Sequence, residues 1–398
     1  MGGWIVMAAR TPRNRNCLPA RAIPARVQSA ARSQPCPSPN PSAGARRTKA
    51  MSSNSHAWSD ADTAYCPYPL LTDARGLGLT TSVIPTALGP VTVRHGRRNS
   101  AARDGVATIL LHGAAGSWST WTPLILSADR LTPAPLTDLV IPDLPGWGDS
   151  ALAAREETET IESLAAAVAE IARALGYQRW QLIGHSLGGV VALELAASQP
   201  RRTTFVGLVS ATTFSVIESV QHPLTRFGVL PGFTALLAVM RVLTRFGSGG
   251  RRFVRGLHRL GVLRPLVTPL FSRVDEIDRS VVAALAAEAR PRSFALAAHR
   301  AGRYDAAQRW ASIQCEVRSV HGDRDVFVTV GDDQLMHEVI PAYEVTILAD
   351  TGHFSHIEHP VDALFALRPW STGRDHNETD ETYTRQQHRP DGAARRKA

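Results

Sequence analysis

The stretch Gly184-His185-Ser186-Leu187-Gly188-Gly189 places one serine between glycines two residues before and two residues after it. The run Trp180–Ile183 ahead of it reads as a strand, and Val190–Ser198 behind it reads as a helix. A Gly-x-Ser-x-Gly at a strand-to-helix turn sets its serine on a sharp bend, where small neighbours let the backbone pack tightly. The bend lifts the hydroxyl off the sheet, and the N–H groups at the start of the helix aim at the same point. Read alone, Ser186 is equally a helix-start turn residue, so its partners decide.

A serine hydroxyl is a weak nucleophile until a base takes its proton. Among the fourteen histidines, His353 in Ala349-Asp350-Thr351-Gly352-His353-Phe354 follows the last apolar run and precedes a short helix. An imidazole in that role needs a carboxylate to fix its tautomer and stabilise its charged form. Asp325, in His321-Gly322-Asp323-Arg324-Asp325, follows the preceding apolar run. Asp323 and Glu218 are rival acids, and His356 and His359 lie close enough to compete with His353. Chain order is then Ser186, Asp325, His353. The tetrahedral intermediate of acyl transfer also needs hydrogen-bond donors for its oxyanion. The backbone N–H groups of Ala114, in Leu111-His112-Gly113-Ala114-Ala115-Gly116, and of Leu187 are the candidates. His112 and His185 read as structural, since neither occupies the general-base position.

Taken together, LLHGAAG (residues 110–116), DLPGWGDS (143–150), GHSLGG (184–189), HGDRD (321–325) and DTGH (350–353) resemble the α/β-hydrolase superfamily. Each motif is weak to moderate alone, but five in this order are specific. The resemblance covers roughly residues 82–370 and lies with the serine-nucleophile branch that carries a helical cap, esterase- and lipase-like. It implies a triad of Ser186, Asp325 and His353, oxyanion donors at Ala114 and Leu187, and no cofactor or metal. For Asp143–Ser150 it implies a structural turn without a catalytic role. Relatives that open epoxides or displace halides use an aspartate where this chain has Ser186. Epoxide-opening relatives also tend to carry a proline after His-Gly, where Ala114 and Ala115 stand here. Cys315 departs from a proline common at the entry to its strand.

The elements that must position these residues alternate along the chain. Ser82–Leu88 and Val91–Arg94 read as a hairpin around Gly89-Pro90. Strands are expected at Ala107–Leu111, Asp138–Ile141, Trp180–Ile183, Phe205–Val209, Glu316–Val320 and Glu344–Leu348. Helices are expected near Trp118–Arg130, Ile161–Leu175 and Leu187–Ser198, with Thr160 or Thr158 capping the second. This alternation predicts an α/β fold: a mostly parallel sheet with helices on both faces. Residues 213–310 interrupt it with Ala-, Leu-, Val- and Arg-rich segments too long for a simple connection. They read as an inserted helical cap (lid), with the core at 61–212 and 311–370.

Within the cap, Arg251, Arg252, Arg255 and Arg259 interleave with Phe253, Val254, Leu257 and Leu260. One reading is an interfacial helix drawn to anionic lipid or an acidic substrate. The favoured reading is a solvated helix face whose apolar side packs inward. Gly247, Gly249 and Gly250 before it read as a cap hinge or as a loop.

Charge and composition narrow the partners. The formal net charge is +9, but residues 1–50 hold nine Arg and Lys and no Asp or Glu. The rest of the chain therefore carries 35 basic and 35 acidic residues. No nucleic-acid partner follows from the charge, and no run approaches the roughly 18 apolar residues of a membrane span. The four cysteines form neither a CxxC nor a metal-type cluster. The leader, residues 1–60, is basic, Pro-rich and expected to be disordered, as is the polar tail, 371–398. Met51 is an alternative start, and a targeting role for the leader is the rival. The expected location is the cytoplasm, or an organelle if the leader targets one.

The expected function is acyl-enzyme hydrolysis of a carboxylic ester with an apolar acyl or aromatic group, the partner being a small molecule. Carbon–carbon bond, thioester or lactone hydrolysis by the same triad is the alternative. A hydrolase-like binding protein without turnover is the second.

Overall fold

In the computed structural model, eight strands form one sheet in the order β1-β2-β4-β3-β5-β6-β7-β8. They are β1 (Leu79–Thr86), β2 (Gly89–Gly96), β3 (Val106–Leu111), β4 (Leu139–Pro142), β5 (Arg179–His185), β6 (Thr203–Val209), β7 (Glu316–Gly322) and β8 (Tyr343–Leu348). The structure describes residues 64–99, 105–130, 135–152 and 159–367. All lie in one compact unit spanning Ala57–Ala398. The leader and tail readings concern residues outside the described ones.

Strands β1, β2 and β4 pair antiparallel, and β4, β3, β5, β6, β7 and β8 run parallel. The first turn departs from expectation. Thr86 pairs with Gly89, so Ala87 and Leu88 form a two-residue loop and Leu88 is no strand residue. The buried Leu88 side chain mimicked a strand position while serving the core from a turn.

After β3 the chain steps to β4 on one side of the sheet, then returns to β5 on the other. The carboxyl ends of β3 and β5 thus flank a topological switch point, where open α/β sheets bind ligands. Helices α2 (Ile161–Ala174) and α3 (Leu187–Ser198) cover one face of the sheet. Helices α1 (Thr122–Arg130) and α13 (Pro360–Leu367) cover the other. The Thr160 side chain accepts the Ser163 amide and caps α2. Every residue of α3 from Leu187 to Ala197 is buried, as suits a helix enclosed all round. Its one acid, Glu194, is compensated there by Arg309 and the Tyr304 hydroxyl.

Between β6 and β7 lie α4 (Phe214–Gln221), α5 (Pro231–Thr244), α6 (Ser248–Arg259), α7 (Leu263–Leu266), α8 (Arg279–Glu288), α9 (Pro291–Ala301) and α10 (Ala306–Trp310). Two apolar clusters join this insertion to the rest of the chain, one around Val254, Phe271 and Leu285 with Leu70, Phe354 and Ile357, and one around Phe233 and Leu237 with Phe327. In α6, Val254 packs inward, but Phe253 and, at the C-cap, Leu260 are exposed, against the inward packing expected for that apolar side. Two short helices follow the last strands: α11 (Val330–Val339), which alternation did not foretell, and α12 (Ser355–Glu358). No helix among the described residues is long and apolar enough to cross a membrane.

Candidate active site

Ser186 sits between β5 and α3 with φ 51° and ψ −119°, a conformation that costs a non-glycine residue roughly 1–3 kcal/mol. Its surroundings hold it there. The Ser186 amide donates to the Val209 carbonyl at 3.1 Å, and the Gly189 amide donates back to the Ser186 carbonyl at 2.9 Å. A methyl group on Gly184 would collide with the Gly188 carbonyl, and one on Gly188 with the Leu111 carbonyl. Both glycines are required by close backbone approach. The bend leaves Ser186 on the wall of a cavity of about 540 Å³.

The loops after β7 and β8 are pressed together: a methyl group on Gly322 would meet the Thr351 carbonyl. That contact brings Asp325 beside His353. The His353 Nδ1 lies 3.0 and 3.1 Å from the two Asp325 oxygens. A carboxylate accepts, so Nδ1 carries the proton and Nε2 is left as the base. Burial alone would raise the Asp325 carboxyl, but the His353 charge and hydrogen bonds outweigh it and hold it below the usual carboxylate range. The Phe327 amide supplies one of those bonds, at 2.9 Å.

The rival acids have other partners. Asp323 accepts the Thr351 amide at 3.2 Å. Glu218 pairs with Arg226 at 2.8 Å. His356 is buried among the Trp121 and His185 rings, and burial together with the His353 charge lowers its pKa to about 3. His359 lies 3.7 Å from Asp362. His353 is the histidine on the cavity wall.

Ala114 and Leu187 line the same cavity as Ser186 and His353. The Gly113–Gly116 turn is closed by the Gly116 amide on the Gly113 carbonyl at 3.1 Å, with Ala115 at φ 62°. His112 braces this turn: Nδ1 lies 2.8 Å from the Gly113 carbonyl, and Nε2 accepts the Leu144 amide at 3.0 Å. One nitrogen donates and one accepts, so the ring is neutral, and burial lowers its pKa. His185 is likewise held neutral, far below its usual value, chiefly by burial and then by His356 and His353. Its Nε2 lies 3.1 Å from the His353 carbonyl. In the 143–150 turn, the Asp143 carboxylate accepts the Trp118 and Asp149 amides at 2.9 and 3.0 Å and pairs with Arg94. Cys315, just ahead of β7, is a free thiol that burial pushes up to about 11.

Sequence reasoning missed one partner of His353 and one of its immediate neighbours. The Leu270 carbonyl, from the insertion, accepts the His353 amide at 2.9 Å. Glu358, five residues on, accepts the Gly352 and Phe354 amides at 3.0 and 3.2 Å. It also accepts the Ser272 amide and the Tyr65 hydroxyl, each at 2.8 Å. Burial pushes the Glu358 carboxyl up, against the pull of those donors. The available signal was an acid, one of two with Asp362, within the largely apolar run Phe354–Leu367.

Apart from His353, the cavity is lined by uncharged residues, most of them apolar: Phe233, Met240, Leu263, Phe294 and Phe327 are typical. Among the described residues no Arg, Lys, Asp or Glu reaches it. Such a site suits a largely apolar small molecule fixed by a few polar groups.

The comparisons agree with this architecture. Residues 108–367 match the model of the alpha/beta hydrolase family. The dihydrolipoyllysine-residue acetyltransferase component of the acetoin cleaving system from Cupriavidus necator is 27% identical over 280 residues. That match covers 68% of this chain and 64% of the relative, so the chain spans less than two thirds of it. A 2-hydroxy-6-oxo-6-phenylhexa-2,4-dienoate hydrolase of Burkholderia cepacia is 33% identical over 109 residues, covering 26% of this chain and 35% of that one. Among solved structures, a thermophilic esterase from Thermogutta terrifontis superposes with a TM-score of 0.54 at 20% identity, over 73% of this chain and 97% of the esterase. Sheet order, the turn after β5 and the family match lead to one conclusion: this chain belongs to the alpha/beta hydrolase family.

Proposed function

We propose that this protein is a serine hydrolase that cleaves a carboxylic ester with an apolar acyl or aromatic group. The reading rests on one observation: Ser186 shares an apolar cavity with His353, whose Nδ1 is held by a buried carboxylate. In this scheme His353 Nε2 takes the Ser186 proton as Oγ attacks the ester carbonyl. The Ala114 and Leu187 amides hold the oxyanion, and Asp325 stabilises the imidazolium. Collapse of the tetrahedral intermediate expels the alcohol, which takes the proton from His353 and leaves the acyl group on Ser186. A water then gives its proton to His353 as it attacks the acyl carbon, and the second tetrahedral intermediate collapses as His353 returns that proton to Ser186 Oγ, breaking the acyl–Oγ bond and releasing the acid. Residues 213–310 act as the cap that walls the acyl pocket.

The lack of Arg and Lys among the described residues of the cavity wall favours this substrate over a vinylogous keto acid, whose carboxylate calls for a cationic partner. The test is labelling by a fluorophosphonate probe, lost in Ser186→Ala, with p-nitrophenyl esters of increasing chain length as substrates. Labelling with a mid-to-long-chain optimum is expected. Labelling without ester turnover would move the assignment to carbon–carbon, thioester or lactone chemistry. A wild-type protein that fails to label would point to a binding protein without turnover.

A further inference from the structure

Between Glu218 and Asp275 the chain contains no Asp or Glu, yet it carries nine arginines. Four are committed: Arg226 to Glu218, Arg251 to the Ala287 carbonyl, Arg264 to carbonyls at 274, 275 and 277, and Arg273 to Asp350. The other five, Arg241, Arg245, Arg252, Arg255 and Arg259, are exposed, and among the described residues none has an ion-pair partner. Everything after residue 50 carries no formal net charge, so this is a local concentration of positive charge.

The same two helices and the turn between them also expose apolar residues. On α5, Ala235, Val239 and Val242 are exposed at spacings of four and three, one side of a helix, and Phe246 is exposed in the turn just after it. On α6 Phe253 is exposed, and Leu260 follows it by seven residues at the helix C-cap. Phe246, Phe253 and Leu260 are 66, 56 and 77% exposed, a level at which neither helix buries them. The two helices cross closely, since a methyl group on Gly250 would collide with the Leu243 carbonyl. Val239 and Phe253 belong both to this outer face and to the lining of the Ser186 cavity. The apolar wall of the cavity therefore emerges on it.

We propose that the outer face of α5 and α6 docks onto an anionic lipid bilayer, lying on it without spanning it. Phe246, Phe253 and Leu260 enter the acyl boundary, and the five arginines bind lipid phosphates while their stems lie along the apolar surface. A second copy of the chain is a poor occupant, because a two-fold contact on this face sets five uncompensated guanidinium groups against the same five. Docking would open the cavity to the membrane, so that an apolar substrate reaches Ser186 without crossing water. Only this entry route rests on the function proposed above.

The test uses the full chain, whose basic leader is common to all variants, so differences between variants report this face. Binding to vesicles of phosphatidylglycerol and phosphatidylcholine in equal parts is compared with binding to phosphatidylcholine alone by co-sedimentation. Three forms are used: wild type, Phe246→Ser with Leu260→Ser, and Arg245→Glu with Arg252→Glu and Arg259→Glu. None of the substituted residues lines the cavity, so hydrolysis of a short soluble ester should be unchanged and reports folding. Wild type is expected to prefer the anionic vesicles, weakening as salt rises from about 0.1 to 0.5 M. Each variant is expected to bind at least about tenfold more weakly. Equal binding by the serine variant, or by the glutamate variant, overturns the proposal. So does a dimer in solution that both variants dissolve, with no difference on vesicles. Repeating the binding with Ser186→Ala separates docking from chemistry: the docking proposal requires unchanged binding there, whatever becomes of hydrolysis.

Discussion

The carbonyl of Leu270, in the insertion, accepts the backbone amide of His353 at 2.9 Å. Beside it the Ser272 amide donates to Glu358 at 2.8 Å, the Ser272 hydroxyl to Asp350 at 2.6 Å, and Arg273 pairs with Asp350. One edge of the insertion is thus bonded to the loop that carries the proposed base. These bonds do not reach α5 and α6, which also line the cavity and meet at Gly247, φ 53°. Hydrogen exchange should read this directly: the His353 and Gly352 amides protected close to the global limit, the α5 and α6 amides exchanging first. Faster exchange at His353 than in α5 would contradict it.

Glu358→Gln isolates the carboxylate that gathers Gly352, Phe354, Ser272 and Tyr65. The amide keeps one acceptor but turns its NH2 toward buried donors, which should cost about 3 kcal/mol. Tyr65→Phe removes one donor and should cost about 1 kcal/mol. Denaturant midpoints measure both, and kcat should fall further in the glutamine variant because the His353 loop loses its brace.

Asp325→Asn should leave the fold standing and lower kcat by about 10⁴, since the asparagine presents the wrong hydrogen-bonding partner to Nδ1. The folded-state pKa of Asp325 is depressed, so its stabilisation is complete above the ordinary carboxylate pKa and fades as pH falls through the depressed one. Acid unfolding monitored below about pH 4 should therefore be less steep in the variant.

The buried His321–Asp333 pair predicts the opposite trend on the alkaline side. His321 Nε2 lies 3.0 Å from Asp333, and Nδ1 3.1 Å from the Gly322 carbonyl. With acceptors at both nitrogens the ring is doubly protonated; burial works against this, but Asp333 outweighs it and raises the pKa. The stabilisation is complete below the ordinary histidine pKa of about 6.5 and is lost as pH rises through the folded value. Unfolding free energies from about pH 6 to 9 should fall more in wild type than in His321→Gln.

Two glycines offer a contrast in close approach. Gly188→Ala drives a methyl into the Leu111 carbonyl and should abolish folding or cost more than about 3 kcal/mol. Gly256→Ala, in α6 with open space around it, should stabilise by about 0.5–1 kcal/mol. Melting temperatures that fail to separate the two would refute the packing argument.

The strands, the helices α1 to α3 and the order of Ser186, Asp325 and His353 were legible in the sequence, because period and turn chemistry are local properties. The strained turn needed only its glycines and the elements on either side. The motif favoured Asp325 over Asp323, but the physical reason for the choice is not local. It required β7 and β8 to lie side by side, with Gly322 against Thr351, so that one carboxylate reaches the ring and the other reaches an amide. The brace by Leu270 and Glu358 was invisible for the same reason, since a backbone carbonyl carries no mark in the sequence and an acid in an apolar run does not name its donors. In α6 the chain spelled out apolar and basic residues together, but only packing decided which side met the cap's interior. The α8 helix and the chain around Phe271 enclose Val254 and leave Phe253 and Leu260 outward. Local chemistry set the parts; long-range contact set which of them meet.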